Sequence, residues 1–267
     1  MKLLCWNIGI KIDNTKKVLE FIKDNHFDIL AFQEALKAHD EKTYPMFRTQ
    51  NDTENTFKKE FPFTAFAPVW GAKAIIKNGL PARDFGGFVE QGCYTLSKYE
   101  ILEHYNQFYY LDYKEPGFDA TNFKRDDHAR SIQNMTLDIN GQKLQVINVH
   151  GTWNEDKLGN ERTANQCNFI IEKALENDYP TIIVGDFNLL PNSKDIKLMN
   201  NHFRNLVVEN NIRSTRPTFD DGLDKGDIVC DYIFVNDKIV VNDFQVIEND
   251  ISDHMPLVLD FDIKIKR

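Results

Sequence analysis

The chain is poor in the features that would mark a secreted, membrane-spanning or nucleic-acid-coating protein. Its 267 residues include only four cysteines, Cys5, Cys93, Cys167 and Cys230. They are widely spaced and form no CxxC pair, which argues against a disulfide framework or a zinc site, and three lie in apolar, strand-like surroundings. Buried free thiols of a reducing compartment are expected. No apolar run is long enough to cross a bilayer, and the opening "MKLLCWNIGI" has neither a long apolar region nor a cleavage site. A soluble, cytoplasmic protein with no membrane contact is the expectation. Positive charge is also in the minority, with 32 Lys and Arg against 41 Asp and Glu and a formal net charge of -9. That balance excludes broad electrostatic attraction to polyanions, but a site can still gather metal ions and a few arginines locally. Internal repeats, low-complexity tracts and Pro/Gly/Ser linkers are missing too, so residues 1–267 read as a single domain.

What is present is a succession of short strands with a few helices between them. "KLLCWNI" reads as a strand, followed by a helix that starts at Asp13 or Asn14 and carries Val18, Leu19, Phe21 and Ile22 at helical spacing. A second strand, "FDILAFQE", follows. Residues 40 to 90 are mixed, with turn signals at "NGLP" and "FGG", before strand character resumes in "CYTLSKYEIL". Asn140-Gly141 between two alternating runs predicts a hairpin over residues 129–149. A helix is expected over 161–177, then a strand in "TIIVGDFNLLPN", and further strands in "CDYIFV", "VNDFQVI" and "MPLVLDFDI". Strand-rich halves with a helix or two in each predict two packed sheets covered by helices.

The strand ends carry the chemistry. "WN", "QE", "NVH", "GDFN" and, near the terminus, "SDHMPL" deliver Asn7, Glu34, His150, Asp186, Asn188, Asp253 and His254. These are the hard oxygen ligands, donors and acceptors that phosphate-ester cleavage with a magnesium-like ion requires. In "GDFN" an extended chain would send Asp186 and Asn188 to one side and Phe187 into the packing on the other, while Gly, Asp and Asn suit a turn equally well.

With these blocks in order, from "LLCWNI" through "AFQE", "GCYTLSKYEI", "INVHGTW", "VGDFNLLP" and "CDYIFV" to "SDHMPL", the sequence resembles the endonuclease/exonuclease/phosphatase family over nearly its whole length. The resemblance implies an α/β fold, a four-layer α/β/β/α sandwich of the deoxyribonuclease I type with its site at one edge of the two sheets. It implies Glu34 as principal metal ligand, Asn7 coordinating or orienting it, and Asp253 as a further metal or water ligand, with Mg2+ as the ion and Mn2+ as its alternative. By the same resemblance Asp186 orients or deprotonates the attacking water, Asn188 holds a phosphate oxygen, and His254, paired with Asp231, and His150 face the phosphate.

Two matches are looser. Glu90 and Gln91 compete for the place of a residue that supports His150, and Arg130 matches an arginine that contacts substrate phosphate in some members but reads equally well as a surface arginine. The "GTWNEDKLGNERTANQ" segment suggests no more than helix packing or a rim contact for Arg162 and Gln166. "GAKAIIKNGLPAR", with Lys73, Lys77 and Arg83, reads as a surface loop that an anionic substrate could meet. Aromatics in "HYNQFYYLDYKEPGFDATNF" could stack on bases, although most would be core. The partner expected is a phosphate ester, nucleic acid included, and no protein partner. The leading expectation is a Mg2+-dependent phosphodiesterase of nuclease type. Its alternatives are a phosphatase of a small phosphorylated metabolite or inositol phosphate, and a binding module that has kept the fold without activity.

Overall fold

Alternation along the first strand, β1 (Lys2–Asn7), sends its side chains into two different cores. Leu3 and Cys5 face inward between two sheets, whereas Leu4 and Trp6 face outward beneath helices. The same sorting continues in β2 (Ile29–Ala38), where Ile29 and Ala31 point in and Leu30 and Phe32 point out. Period-two alternation with both faces apolar is what a sheet covered on both sides demands. The computed structural model describes residues 1–9, 15–77, 80–113, 129–217 and 228–264, the Lys77 side chain excepted.

Two six-stranded mixed sheets form the centre. The first runs β11 (Ile239–Val246), β12 (Leu257–Ile263), β1, β2, β4 (Leu80–Ser97), β3 (Phe63–Lys77). The second runs β5 (Glu100–Tyr110), β6 (Arg130–Ile139), β7 (Gln142–His150), β8 (Thr181–Asp186), β10 (Asp231–Val235), β9 (Arg204–Asn205). Each sheet has a central parallel pair, β1 with β2 and β7 with β8, flanked by antiparallel neighbours. Helices α1 (Thr15–Asp24) and α2 (Thr49–Phe57) cover the first sheet through Val18, Ile22 and Phe57. Helices α3 (Glu161–Leu175) and α4 (Lys194–Asn200) cover the second through Cys167, Ile170, Ile196 and Met199, and a short α5 (Leu206–Glu209) follows β9. Between the sheets lies a layer of neutral amides. Gln33 Nε2 donates to Asn148 Oδ1 at 2.6 Å, Asn148 Nδ2 donates to Gln133 Oε1 at 3.2 Å, and Thr95 Oγ1 donates to the same oxygen at 2.6 Å.

The sandwich, the hairpin and α3 agree with the sequence reading. Asn140 and Gly141 turn the hairpin with φ of 54° and 88°, and Asn160 caps α3 in a capping box. All four cysteines are buried and free. Several expectations need correction. "CYTLSKYEIL" is two strands in different sheets, because the chain leaves β4 at Ser97 and crosses over Lys98 and Tyr99 into β5. The "FGG" signal ends no strand: Gly86, at φ 75°, is part of an irregularity inside β4, where pairing jumps from Ala72↔Val89 to Ala74↔Asp84. "GAKAIIKNGLPAR" is mainly paired strand, since its apolar β-formers set Ile75 and Ile76 opposite Arg83 and Pro81, while Lys73 is exposed. Helix α2 was missed because it is nearly all polar and buries only Gln50, Thr53 and Phe57. The Asp13 or Asn14 helix start, the Asn78-Gly79 turn and residues 114–123 of the aromatic stretch lie outside the described residues. No helix among the described residues is long and apolar enough to cross a membrane.

Candidate active site

Strand register gathers the site. In the second sheet His150 pairs with Asp186, and Asp186 pairs with Asp231, so the three form a row across β7, β8 and β10. In the first sheet Asn7 ends β1 beside Gln33. Asp253 and His254 do not end a strand; they precede β12, which runs antiparallel to β1, so its entrance lies at the edge where β1 exits. Arg130 and Asp231 likewise open β6 and β10. Polar residues at strand starts and strand ends therefore meet at one edge.

Local backbone departures aim the side chains. Glu34 lies where the β2–β4 register slips between Phe32 and Ala35, and its φ is 58°. Asn188 has φ 55°, so Asp186 and Asn188 come together through a left-handed turn and not through an extended strand. Asp186 Oδ1 accepts the Asn188 N–H at 2.8 Å and closes that turn. Non-glycine residues in this region cost about 1–3 kcal/mol each, and such strain is typically kept where function needs it. Gly185 answers why the strand ends in Gly-Asp, because a Cβ there would stand 1.9 Å from the Val149 carbonyl oxygen. Phe187 does point into the packing, against Tyr232 and Phe234.

The cluster converges on Asp186 Oδ2. Asn7 Nδ2 donates to it at 3.2 Å and to Glu34 Oε1 at 3.2 Å. His254 Nε2 lies 3.7 Å from the same oxygen and His150 Nε2 4.0 Å, with Glu34 Oε1 3.6 Å from His150. The Asn7 amide oxygen accepts the Gly9 N–H at 3.0 Å, so its nitrogen faces the carboxylates and Asn7 serves as an orienting group. Burial, reinforced by Asp253 and Asp186, pushes the Glu34 carboxyl above its usual 4.5 against the opposing effects of His254 and Asn7.

Asp231 and His254 form a buried pair, with Nδ1 2.9 Å from both carboxylate oxygens. Burial works against a charged ring here, but Asp231 and Asp186 outweigh it and hold the His254 pKa well above 6.5. Two residues that the sequence did not single out complete this end. Thr215 Oγ1 donates to Asp231 Oδ2 at 2.6 Å, and Arg216 lies 2.9 Å from His254 Nε2 through Nη1 and 2.6 Å from Asp253 Oδ2 through Nη2. An arginine donating to Nε2 needs a lone pair there, the opposite demand from the carboxylates that favour the charged ring. Neither residue has a spacing signal, because the loop that carries them precedes β10 and only folding brings it to the site.

The remaining residues fall into place around this centre. Arg130 is buried, donates to the His150 carbonyl at 3.4 Å and finds no partner for its Nε among the described residues. Glu90 bonds to His39 and to the Tyr113 hydroxyl, both at 2.6 Å, while Gln91 accepts the Trp70 indole N–H at 2.7 Å. Lys157 Nζ donates to Asn188 Oδ1 at 2.9 Å, a contact the sequence did not suggest. Asn188 Nδ2 donates to the Gly151 carbonyl, which leaves one amide hydrogen. Gln166 is more than a rim contact: fully buried, it accepts the Thr152 N–H and donates to the Phe187 carbonyl, tying the segment after β7 to the turn after β8. The Arg162 guanidinium packs over the Tyr110 ring at 4.7 Å.

Four buried side chains, Asp186, Cys230, Asp231 and His254, place potential metal-ligand atoms within 4.8 Å of one another. The oxygen donors Glu34, Asp186 and Asp253 also fit a hard divalent cation, since their mutual repulsion is part of what raises Glu34. Cys230 suits such an ion poorly, because burial pushes its thiol up to about 11.

A family model described as "Endonuclease/Exonuclease/phosphatase family" matches residues 4–254. Among solved structures, a protein of that family from Leptotrichia buccalis is similar at 18% identity and TM-score 0.71, covering 98% of this chain and 100% of its own. An endonuclease/exonuclease/phosphatase from Beutenbergia cavernae is similar at 14% identity and TM-score 0.71, covering 98% of this chain and 71% of its own. D. rerio TDP2 humanized by 14 mutations is similar at 14% identity and TM-score 0.65, covering 98% of each chain. Comparison with curated proteins finds no match.

Proposed function

Because this chain belongs to the endonuclease/exonuclease/phosphatase family, we propose that it is a divalent-metal-dependent hydrolase that cleaves a phosphodiester by in-line attack of water. Mg2+ is the ion proposed, and a nuclease-type diester the substrate class. One observation carries the reading: two histidines and an asparagine converge on a buried carboxylate oxygen, Asp186 Oδ2, with Glu34 alongside. Asp186 has its Oδ1 committed to the Asn188 N–H, and Oδ2, which accepts one bond from Asn7 at 3.2 Å, keeps a lone pair to orient a water and draw its proton. His254, fixed at Nδ1 by Asp231, turns Nε2 toward the phosphoryl group, and His150 approaches from the other sheet. Arg130 and the remaining Asn188 amide hydrogen are donors for phosphoryl oxygens. A bound divalent ion, held by Glu34 with Asp253 beside it, would neutralise charge on the phosphoryl oxygens and the leaving group. Asn7 keeps the Glu34 carboxylate aligned for that role.

The test is hydrolysis of bis(p-nitrophenyl) phosphate against p-nitrophenyl phosphate, with Mg2+ or EDTA, for wild type and His254→Ala. Diester cleavage that needs the metal and falls roughly 100-fold or more in the variant is expected. A variant within twofold of wild type would sink the mechanism, and preference for the monoester would replace the diesterase reading with a phosphatase.

A further inference from the structure

Arg216 occupies the place where this chemistry needs a substrate. The His254 ring has Nδ1 committed to Asp231, so Nε2 is its only other polar atom, and Arg216 Nη1 stands 2.9 Å from it. Nη2 is held at 2.6 Å by Asp253. The guanidinium is not a stray surface group, since its loop is sewn to both segments that form this end of the site. The Thr215 hydroxyl bonds to Asp231, the Thr215 carbonyl accepts the Met255 N–H at 2.8 Å, and the Thr215 N–H donates to the Ile228 carbonyl at 2.8 Å. Ser214 Oγ accepts the Arg216 N–H at 3.1 Å and donates to the Arg216 carbonyl at 2.8 Å, fixing the backbone beneath the side chain. The side chain keeps 31% of its surface exposed, so it is anchored through its backbone yet still reached by solvent.

The charge around it gives the guanidinium a task. Glu34, Asp186, Asp231 and Asp253 crowd one small volume, and an anionic ester entering it meets repulsion unless cations face it. Arg130 supplies one cation at the β6 end. At the His254 end Arg216 supplies a guanidinium, whose five N–H groups outnumber its bonds to His254 and Asp253 among the described residues. A planar fork of this kind matches two oxygens of a phosphate, which a lysine cannot reproduce.

We propose that Arg216 is a substrate-binding residue whose guanidinium, parked on Asp253 and His254 Nε2 in the free protein, turns to the phosphoryl oxygens when a phosphate ester binds and so uncovers Nε2. This inference rests on the phosphoesterase reading and adds to it a second clamp opposite Arg130. It also separates the residue from two other roles. A purely structural arginine would affect folding and leave turnover alone, and a latch that only blocks the site would release activity when removed.

The experiment is steady-state hydrolysis of bis(p-nitrophenyl) phosphate by wild type, Arg216→Ala and Arg216→Lys, with thermal unfolding of each and titration with inorganic phosphate by calorimetry. Expected are a loss of roughly 10- to 100-fold in kcat/KM for Arg216→Ala, partial recovery in Arg216→Lys, and phosphate affinity weakened at least roughly fivefold in Arg216→Ala. Unchanged kcat/KM with a lowered Tm, or faster turnover in Arg216→Ala, overturns the proposal. If the wild type cleaves neither ester, the phosphoesterase reading fails by itself and phosphate titration decides the inference. Weaker binding in Arg216→Ala then upholds the clamp, and equal binding overturns it.

Discussion

Two polar groups lie next to each other on the same strands and behave in opposite ways. Gln33 and Asn148, with Gln133 and Thr95, form a neutral layer inside the sandwich, whose bonds run between amides and a hydroxyl. One residue beyond Gln33 is Glu34, and two beyond Asn148 is His150, where the layer gives way to charged groups. The interior layer joins the sheets by hydrogen bonds that exchange equivalents. The edge cluster instead confines carboxylates whose burial raises Glu34, together with backbone strain at Glu34 and Asn188. Polar burial therefore serves cohesion in one place and reactivity in the other. The difference is charge, because the layer is neutral and bonded across the sheets, with Gln33 Oε1 its orphan among the described residues, whereas the edge confines carboxylates.

The largest separation should come from His254→Ala, which is expected to lower diester hydrolysis by roughly 100-fold or more and to lower Tm as well, since it leaves the buried Asp231 carboxylate without its ring partner, read by kinetics and calorimetry together. Asn148→Leu should cost stability and spare turnover. It removes the 2.6 Å acceptor of Gln33 Nε2, which keeps only a longer bond to the Ala31 carbonyl and a contact with Cys5 Sγ, and one of the two donors to Gln133 Oε1. Urea unfolding should therefore show a loss of about 1–3 kcal/mol. Adding Gln33→Leu should recover part of that loss, because removing both members of a bonded pair costs less than removing one.

Glu34→Gln sharpens the contrast through its sign. The folded carboxyl has a pKa above its usual 4.5, so the folded state binds its proton more tightly and ionisation costs stability as pH rises from about 4.5 through the raised value. In EDTA the variant should melt above wild type at pH 7, with the advantage gone below pH 4.5, while metal-dependent hydrolysis is lost. A gain in Tm that persists at low pH would break this account. The smallest effect is expected from Gly141→Ala in the β6–β7 hairpin. A Cβ there meets nothing within 4 Å, so the loss, roughly 1 kcal/mol by urea unfolding, reflects the φ of 88° alone.

Much of this was legible in the residues themselves. Strand character in β1 and β2, the Asn140-Gly141 turn and the period of α3 each express a local rule, and local rules survive without tertiary context. The Asp231–His254 pair was legible as two motifs in order, and the fold sets them 2.9 Å apart. Helix α2 was not legible because its burial depends on Gln50 and Thr53, polar residues that mark no apolar face. The crossing at Lys98 and Tyr99 was hidden because both strands it joins have β-forming character, and nothing local says which sheet each will enter.

Arg216, Thr215 and Lys157 show the other limit. Each reaches the site from a loop, and a loop's destination follows from what it is packed against, not from its own composition. By itself, then, the sequence determined most of the strands around the site and the residue types offered at their ends, since those depend on neighbours a few positions away. The tertiary structure alone decided that β12 enters where β1 leaves, that Asp186 and Asn188 meet through a left-handed turn, and that an arginine stands on the histidine. Those outcomes depend on strand direction, register and packing between residues far apart in the chain, and such contacts form only when the two sheets close on each other.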